Sequence, residues 1–157
     1  MSRATFDLLL PDPDATCQLA QRLAPLLRPG DVLLLSGGIG AGKTHFARSL
    51  IQALQDEPED VPSPTFTIVQ EYETSAGPLW HADLYRLGDP AEAVELGLED
   101  AFTEAICLIE WPDRLGSLAP ADAWHLDFTP TPEDGRTLTL DLPARAAPLL
   151  REILAHD

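Results

Sequence analysis

The stretch "LLLSGGIGAGKTHFARSL", Leu33–Leu50, holds the chain's single lysine, Lys43, in a protein whose nine other fixed cations are all arginine. Gly37, Gly42, Lys43 and Thr44 complete G-x-x-x-x-G-K-[ST], the pattern of a phosphate-binding P-loop. Val32 to Leu35 is a short apolar run of strand type, and Thr44 to Leu54 reads as a helix, the strand–loop–helix context the motif requires. Glycines let the backbone wrap closely around phosphates with its N–H groups turned inward. The helix N-terminus adds a partial positive charge facing the same anion. A compact ammonium on a thin stem reaches between terminal phosphate oxygens, where a planar guanidinium would not fit the same way. Gly37, Gly38, Ile39, Gly40, Ala41, Gly42, Lys43 and Thr44 are therefore assigned to a nucleotide. His45, just inside the helix, is counted with them at the nucleotide site, although by itself it reads as a partly exposed bystander, and Lys43 is expected to be a solvated loop side chain.

Outward from the loop, 157 residues fit one domain with room for a proper core. No apolar run approaches a membrane span, and "MSRATFDLLLPDPD" has too short an apolar stretch for a signal peptide. Cys17 and Cys107 lie far apart in apolar surroundings and read as buried free thiols. The expected compartment is the cytoplasm. A net charge of −16 argues against the chain holding nucleic acid by itself, because phosphate contacts dominate that affinity. If it works on RNA, a partner should carry the RNA.

The elements follow from periodicity and turn residues. Thr5 to Leu10 reads as a strand, and Asp12 or Asp14 caps a helix running to about Leu27. An acidic, proline-rich loop, Gln55 to Pro64, follows the P-loop helix. Phe66 to Glu73 and Leu79 to Tyr85 read as antiparallel strands around the turn "TSAGP". A short acidic helix at about Pro90 to Phe102 precedes the apolar strand Ala105 to Ile109. Trp124 to Thr129 and Thr137 to Leu142 make a hairpin, and Ala146 to Ala155 a closing helix. The expected fold is α/β: a single P-loop NTPase domain over residues 1–157, with a mixed β-sheet between helices.

Hydrolysis or transfer at a P-loop needs a metal and an acid. Thr44 can place its hydroxyl on Mg²⁺. The acid belongs at the C-terminal end of a neighbouring strand, where sheet ligands gather. Glu110 directly follows "AICLI", and Asp83 lies in "WHADLY", sharing a strand face with His81. His81 itself reads as a structural histidine, since a lone H-x-D is a weak metal signal. Thr65 in "SPTF" sits where a mobile switch segment contacts Mg²⁺ or the γ-phosphate; ordinary turn chemistry at Ser63 and Pro64 fits equally well. Trp111 suits stacking on a base or simple packing. Guanine is usually read through N-K-x-D, which a chain whose one lysine lies in the P-loop lacks, and that points to adenine. By motif, Arg86 is the arginine nearest the site.

"GAGKT", "SPTF" with "EY" six residues on, "H-x-DLYRL", "ELGLED" and "IEW" occur in that order over about Thr5 to Leu142. Together they resemble the TsaE (YjeE) family of bacterial ATPases required for threonylcarbamoyladenosine modification of tRNA. That resemblance implies a small P-loop domain with a mixed sheet, binding ATP and Mg²⁺. It implies TsaB and TsaD as partners, which carry threonylcarbamoyl transfer onto the adenosine beside the anticodon, with tRNA reached only through the complex. It also implies weak ATP hydrolysis alone, faster turnover with the pair, and a role in resetting the complex. Residue by residue, Lys43 and Thr44 take the P-loop roles and Thr65 the switch threonine. Asp83 and Glu110 take the acidic Mg²⁺ and water roles, and Trp111 lies beside the nucleotide. One departure stands out: Gly38-Ile39 replaces the family's common acid-leucine pair, so this chain has no acid there to order water or touch a partner.

Two rival functions share the loop. A small-molecule kinase would carry an arginine-rich lid and an acceptor pocket, whereas the arginines here are scattered and the segment after the P-loop helix is acidic. A nucleotide-gated binding module would bind ATP and scarcely hydrolyse it.

Overall fold

Seven strands form one sheet in the order β1-β7-β6-β2-β5-β4-β3 in a computed structural model that describes residues 3–38, 42–55, 69–132 and 135–155. The strands are β1 (Ala4–Leu10), β2 (Val32–Ser36), β3 (Val69–Thr74), β4 (Gly77–Asp83), β5 (Ile106–Glu110), β6 (Trp124–Pro130) and β7 (Arg136–Leu142). The central four, β6, β2, β5 and β4, run parallel, while β3 and the β7–β1 pair close the two sides antiparallel. The mixed sheet expected from the sequence is present.

A strand covered on both faces reads as a continuous apolar run, and β2 is such a strand. Leu33 and Leu35 point into one core with Phe46, Leu50 and Ile51 of helix α2 (Lys43–Leu54) and Leu19 and Leu23 of α1 (Pro13–Leu23). Val32 and Leu34 point into a second core on the opposite face. That core holds Ala93 of α3 (Pro90–Glu95), Leu98 and Phe102 of α4 (Leu98–Glu104), and Leu115 of a 3-10 segment, Pro112–Leu118. Fully burying each such leucine stabilises the fold by roughly 1.5–3 kcal/mol. Helix α5 (Ala147–Ala155) adds Leu150 to the first core. Phe46 packs on Phe128 of β6 with ring centroids 5.6 Å apart, which fixes α2 over the parallel strands.

Several boundaries differ from those expected, each for a local reason. Asp12 caps α1 by accepting from Ala15 N at 2.8 Å, but the α-helix stops at Leu23 and continues as a 3-10 turn, Ala24–Leu26. Pro25 lacks an N–H and its ring crowds the preceding turn. The acidic helix after Pro90 is two helices, broken at Gly97, whose φ of +85° is left-handed. Strand β4 ends at Asp83, where its carboxylate accepts from Tyr85 N at 3.0 Å and turns the chain out of the sheet. The first part of the expected strand from Phe66 lies outside the described residues. Among the described residues, no helix is long and apolar enough to cross a membrane.

Candidate nucleotide site

Strand β2 delivers the chain to Gly37, with φ +136°, and Gly42, with φ +105°, takes the N-cap position of α2. Both angles suit glycine, so the backbone turns here without a side-chain penalty. Ile39, Gly40 and Ala41 lie outside the described residues. Lys43 is not the solvated side chain the sequence suggested: it is 5% exposed. Its Nζ donates to Gly37 O at 2.7 Å and sits 3.6 Å from the centroid of the Trp111 ring. Burial pushes the Lys43 pKa below its ordinary value, and the carboxylates of Glu110, Asp83 and Asp113 pull it back up in part. The P-loop arrives with its lysine held against the loop's own first glycine.

Glu110 ends β5 and is 2% exposed. Its Oε1 accepts from Thr44 Oγ1 at 2.8 Å, joining the first turn of α2 to the C-terminal end of the neighbouring parallel strand. Its Oε2 lies 2.7 Å from His81 Nε2. The register pairs Asp83 with Glu110 and His81 with Leu108, so His81, Asp83 and Glu110 share the sheet face that lies under α2. Asp83 is half-buried at the strand end. The structure thus brings Lys43, Thr44, Glu110 and Asp83 to one place. Thr65 lies outside the described residues.

Trp111, the next residue, points to the opposite core, where it packs among the residues around Val32 and Leu34. Its backbone is left-handed, φ +59° and ψ +55°, an uncommon conformation for a bulky side chain. Tyr85 packs on it with centroids 4.9 Å apart, tilted by 54°. The indole is therefore a wall for Lys43 in this state. The sequence admits both base stacking and packing at this position; packing against Lys43 and Tyr85 is what the structure contains.

Similarity to known proteins supports the same region. The sequence profile described as "Threonylcarbamoyl adenosine biosynthesis protein TsaE" matches residues 10–138. The chain belongs to the TsaE family. A tRNA threonylcarbamoyladenosine biosynthesis protein TsaE from Bacillus subtilis is 35% identical over 148 residues, 93% of this chain and 92% of the relative. The corresponding protein of Rickettsia bellii is 36% identical over 136 residues, 87% and 94% of the two chains. That of Rickettsia felis is 44% identical over 111 residues, 71% of this chain; the match spans 65% of the relative's length. The fold is similar to the crystal structure of Bacillus subtilis YdiB, with a TM-score of 0.79 and 28% identity, covering 99% and 97% of the two chains. TsaE proteins are P-loop proteins of tRNA threonylcarbamoyladenosine biosynthesis, and this chain carries the loop with its Lys43 and Thr44 in place.

Two features of this TsaE chain escape sequence reasoning. A cavity of ≈ 160 Å³ opens beside the P-loop helix, lined by Asp12, Pro13, Thr16, Gly42, His45 and Arg136. A side-chain carbon on Gly42 would stand 3.6 Å from Arg136 Nε, so Arg136 lies against the loop. His45 is less of a bystander than expected: its Nε2 is 3.0 Å from Pro13 O, tying α2 to the start of α1. Arg136 begins β7, and the neighbouring Gly135 is clamped so tightly that a side-chain carbon there would lie 2.9 Å from Leu10 O. Only the sheet order, with β7 two strands from β2, brings Arg136 to this place. The second missed feature is His81, whose bond to Glu110 depends on the registration of two parallel strands.

Proposed function

We propose that this protein binds ATP with Mg²⁺ at the P-loop and hydrolyses it as a component of the tRNA threonylcarbamoyladenosine machinery. It acts with TsaB and TsaD in the cytoplasm as one domain over residues 1–157, and meets tRNA only through that assembly. The observation that carries this reading is the Thr44–Glu110 hydrogen bond of 2.8 Å, which sets an acid against the P-loop threonine.

The residues suit each task. Gly37 to Thr44 hold the phosphates, with Lys43 leaving Gly37 O for the terminal phosphate oxygens. A hydroxyl that donates its proton to Glu110 keeps its lone pairs for a cation, and an all-oxygen set suits a hard divalent ion. Among the described residues no group of three or more His, Cys, Asp or Glu is placed to hold a metal, so phosphate and water would complete the coordination of Mg²⁺. Held by Thr44 with Glu110 behind it, Mg²⁺ would supply charge neutralisation for the phosphates. Glu110, with Asp83 beside it, orients water, and Thr65 takes the switch position. The cavity beside Arg136 and His45 receives the nucleoside, on the opposite side of β2 from Glu110. Arg136 then serves the nucleoside end, so a cation for the transferring phosphoryl group has still to come from a partner.

That division predicts slow turnover alone and stimulation by the TsaB–TsaD pair, by roughly 10³-fold where a missing cation is supplied. Steady-state phosphate release, measured for the protein alone and with the pair, tests it. Rapid turnover unaffected by the pair would reject the assignment. Consumption of ATP only with a small-molecule acceptor would indicate a kinase, and no turnover in any condition a gated module.

A further inference from the structure

His81 is fully buried on the face of β4 beneath α2, among Leu79, Leu108 and Ile106. Its Nε2 stands 2.7 Å from Glu110 Oε2, and among the described residues its Nδ1 has no hydrogen-bond partner. A bare buried nitrogen costs free energy that an aliphatic side chain in the same place would not incur. Packing alone therefore does not account for a histidine here.

From this geometry we propose that His81 is a positioning residue: its Nε2–H fixes the plane of the Glu110 carboxylate, so that Oε1 is presented to Thr44 and to the cation and water of the site. The terminal torsion of a glutamate is broad and roughly two-fold, so one hydrogen bond to Thr44 leaves the carboxylate free to rock. A second bond from a different element, β4, removes that freedom, and the two oxygens acquire distinct tasks. Oε2 is occupied by His81; Oε1 faces α2. The tautomer follows from the partners: Nε2 carries the hydrogen and Nδ1 keeps a lone pair, because a hydrogen on Nδ1 would be an unmet buried donor. An arginine or lysine at the same place would also anchor the carboxylate, but would set a fixed positive charge against it. Outer-shell partners of this kind typically change metal affinity or activity by about 10- to 100-fold when removed.

The activity half of the proposal rests on the ATPase assignment; the Mg²⁺ half does not. His81→Gln places an amide nitrogen about where Nε2 stands, His81→Asn falls short of it, and His81→Leu fills the volume without a donor. Calorimetry with ATP, with and without Mg²⁺, is run on all three alongside kcat and KM in the presence of the TsaB–TsaD pair. A long-range proton–nitrogen NMR spectrum of the unliganded wild-type protein reads the tautomer. The expected result is an Nε2–H imidazole, unchanged metal-free ATP affinity, and loss of the Mg²⁺ enhancement in Leu and Asn. Their kcat should fall by about 10-fold or more with KM little changed, and Gln should recover most of both. Native Mg²⁺ enhancement in His81→Leu, a Gln variant no better than Asn, or an Nδ1–H tautomer would each overturn the proposal. If His81→Leu does not fold, the contrast between Gln and Asn decides. If the wild-type protein never hydrolyses ATP, the ATPase assignment fails while the Mg²⁺ titrations and the tautomer still judge His81.

Discussion

Lys43 Nζ lies 3.6 Å from the centroid of the Trp111 ring while donating to Gly37 O at 2.7 Å. The ammonium is thus held by a ring face and a carbonyl, with the carboxylates of Glu110, Asp83 and Asp113 near enough to favour its charge. Burial is nevertheless the larger influence and lowers its pKa. The ammonium is thus kept in a setting that disfavours its charge relative to water, and an anion bound at the loop would offset that.

Lys43→Met should therefore raise the melting temperature of the unliganded protein by ~2–4 °C. The thioether keeps contact with the indole, and the half-buried Gly37 carbonyl turns to water. The same change should weaken ATP binding by about 10- to 100-fold, as loss of a charged hydrogen-bond donor does. Lys43→Arg should also bind poorly, because a planar fork does not fit the slot between Gly37 O and the ring. The pH dependence has a definite sign. The folded pKa lies below 10.5, so the unfolded chain holds this proton more tightly, and wild-type stability should gain from Lys43 as pH rises through the window below 10.5. Thermal melts across that range, with Lys43→Met lacking the gain, check the assignment.

Glu110→Gln keeps the shape and removes the charge. ATP binding should survive, and turnover with the partner pair should fall by about 10²-fold or more. A native rate in this variant would transfer the principal role to Asp83, its paired neighbour in the sheet.

Arg136→Ala tests the cavity beside Gly42. Loss of a charged donor should raise KM for ATP by about tenfold and leave kcat nearly unchanged. A kcat effect as large as that of Glu110→Gln would move Arg136 to the phosphoryl end.

The two thiols should react at very different rates. Cys107 lies fully buried in β5, and burial pushes its pKa up to about 12, so almost no thiolate is available near neutrality. Cys17 is only half-buried on α1, where Gln21 Nε2 donates to its sulfur. Alkylation of the folded protein near pH 8 should stop after Cys17, with Cys107 reacting only in denaturant. Mass spectrometry of the peptides reads this directly.

A net charge of −16 bears on partners. The isolated protein should not shift tRNA in a gel at physiological salt, and micromolar binding there would require a basic face. The stimulation proposed for TsaB and TsaD should weaken as salt rises, since screening within ~10 Å at 0.1 M removes long-range attraction to a basic partner surface.

The parts of the fold that are legible in the sequence are those governed by nearest neighbours. Gly37, Gly42, Lys43 and Thr44 announce the loop because phosphate binding constrains consecutive residues. Strand β2 shows as an apolar run because both its faces are covered, and the cap of α1 narrows to Asp12 or Asp14, of which the structure uses Asp12. The break at Gly97 is hidden because the acidic pattern continues on both sides of it, while the left-handed angle that interrupts the helix leaves no periodicity signal. Glu110 and Asp83 can each be found separately, yet the pairing that sets them side by side belongs to two strands joined through helices. His81 and Arg136 are out of reach for the same reason. Their importance lies in neighbours contributed by β5 and by the P-loop, which only the strand order reveals.

The left-handed backbone at Trp111, φ +59° and ψ +55°, leaves that position without a neutral substitute. Glycine or asparagine would relieve the conformation and lose the ring over Lys43; another aromatic would keep the ring and inherit the conformation, which costs roughly 1–3 kcal/mol. A library of variants sorted by heat resistance should therefore enrich glycine at 111, and the same library sorted by nucleotide binding should enrich aromatics. The two sortings would disagree most at the one residue that links the end of β5 to the lysine of the loop.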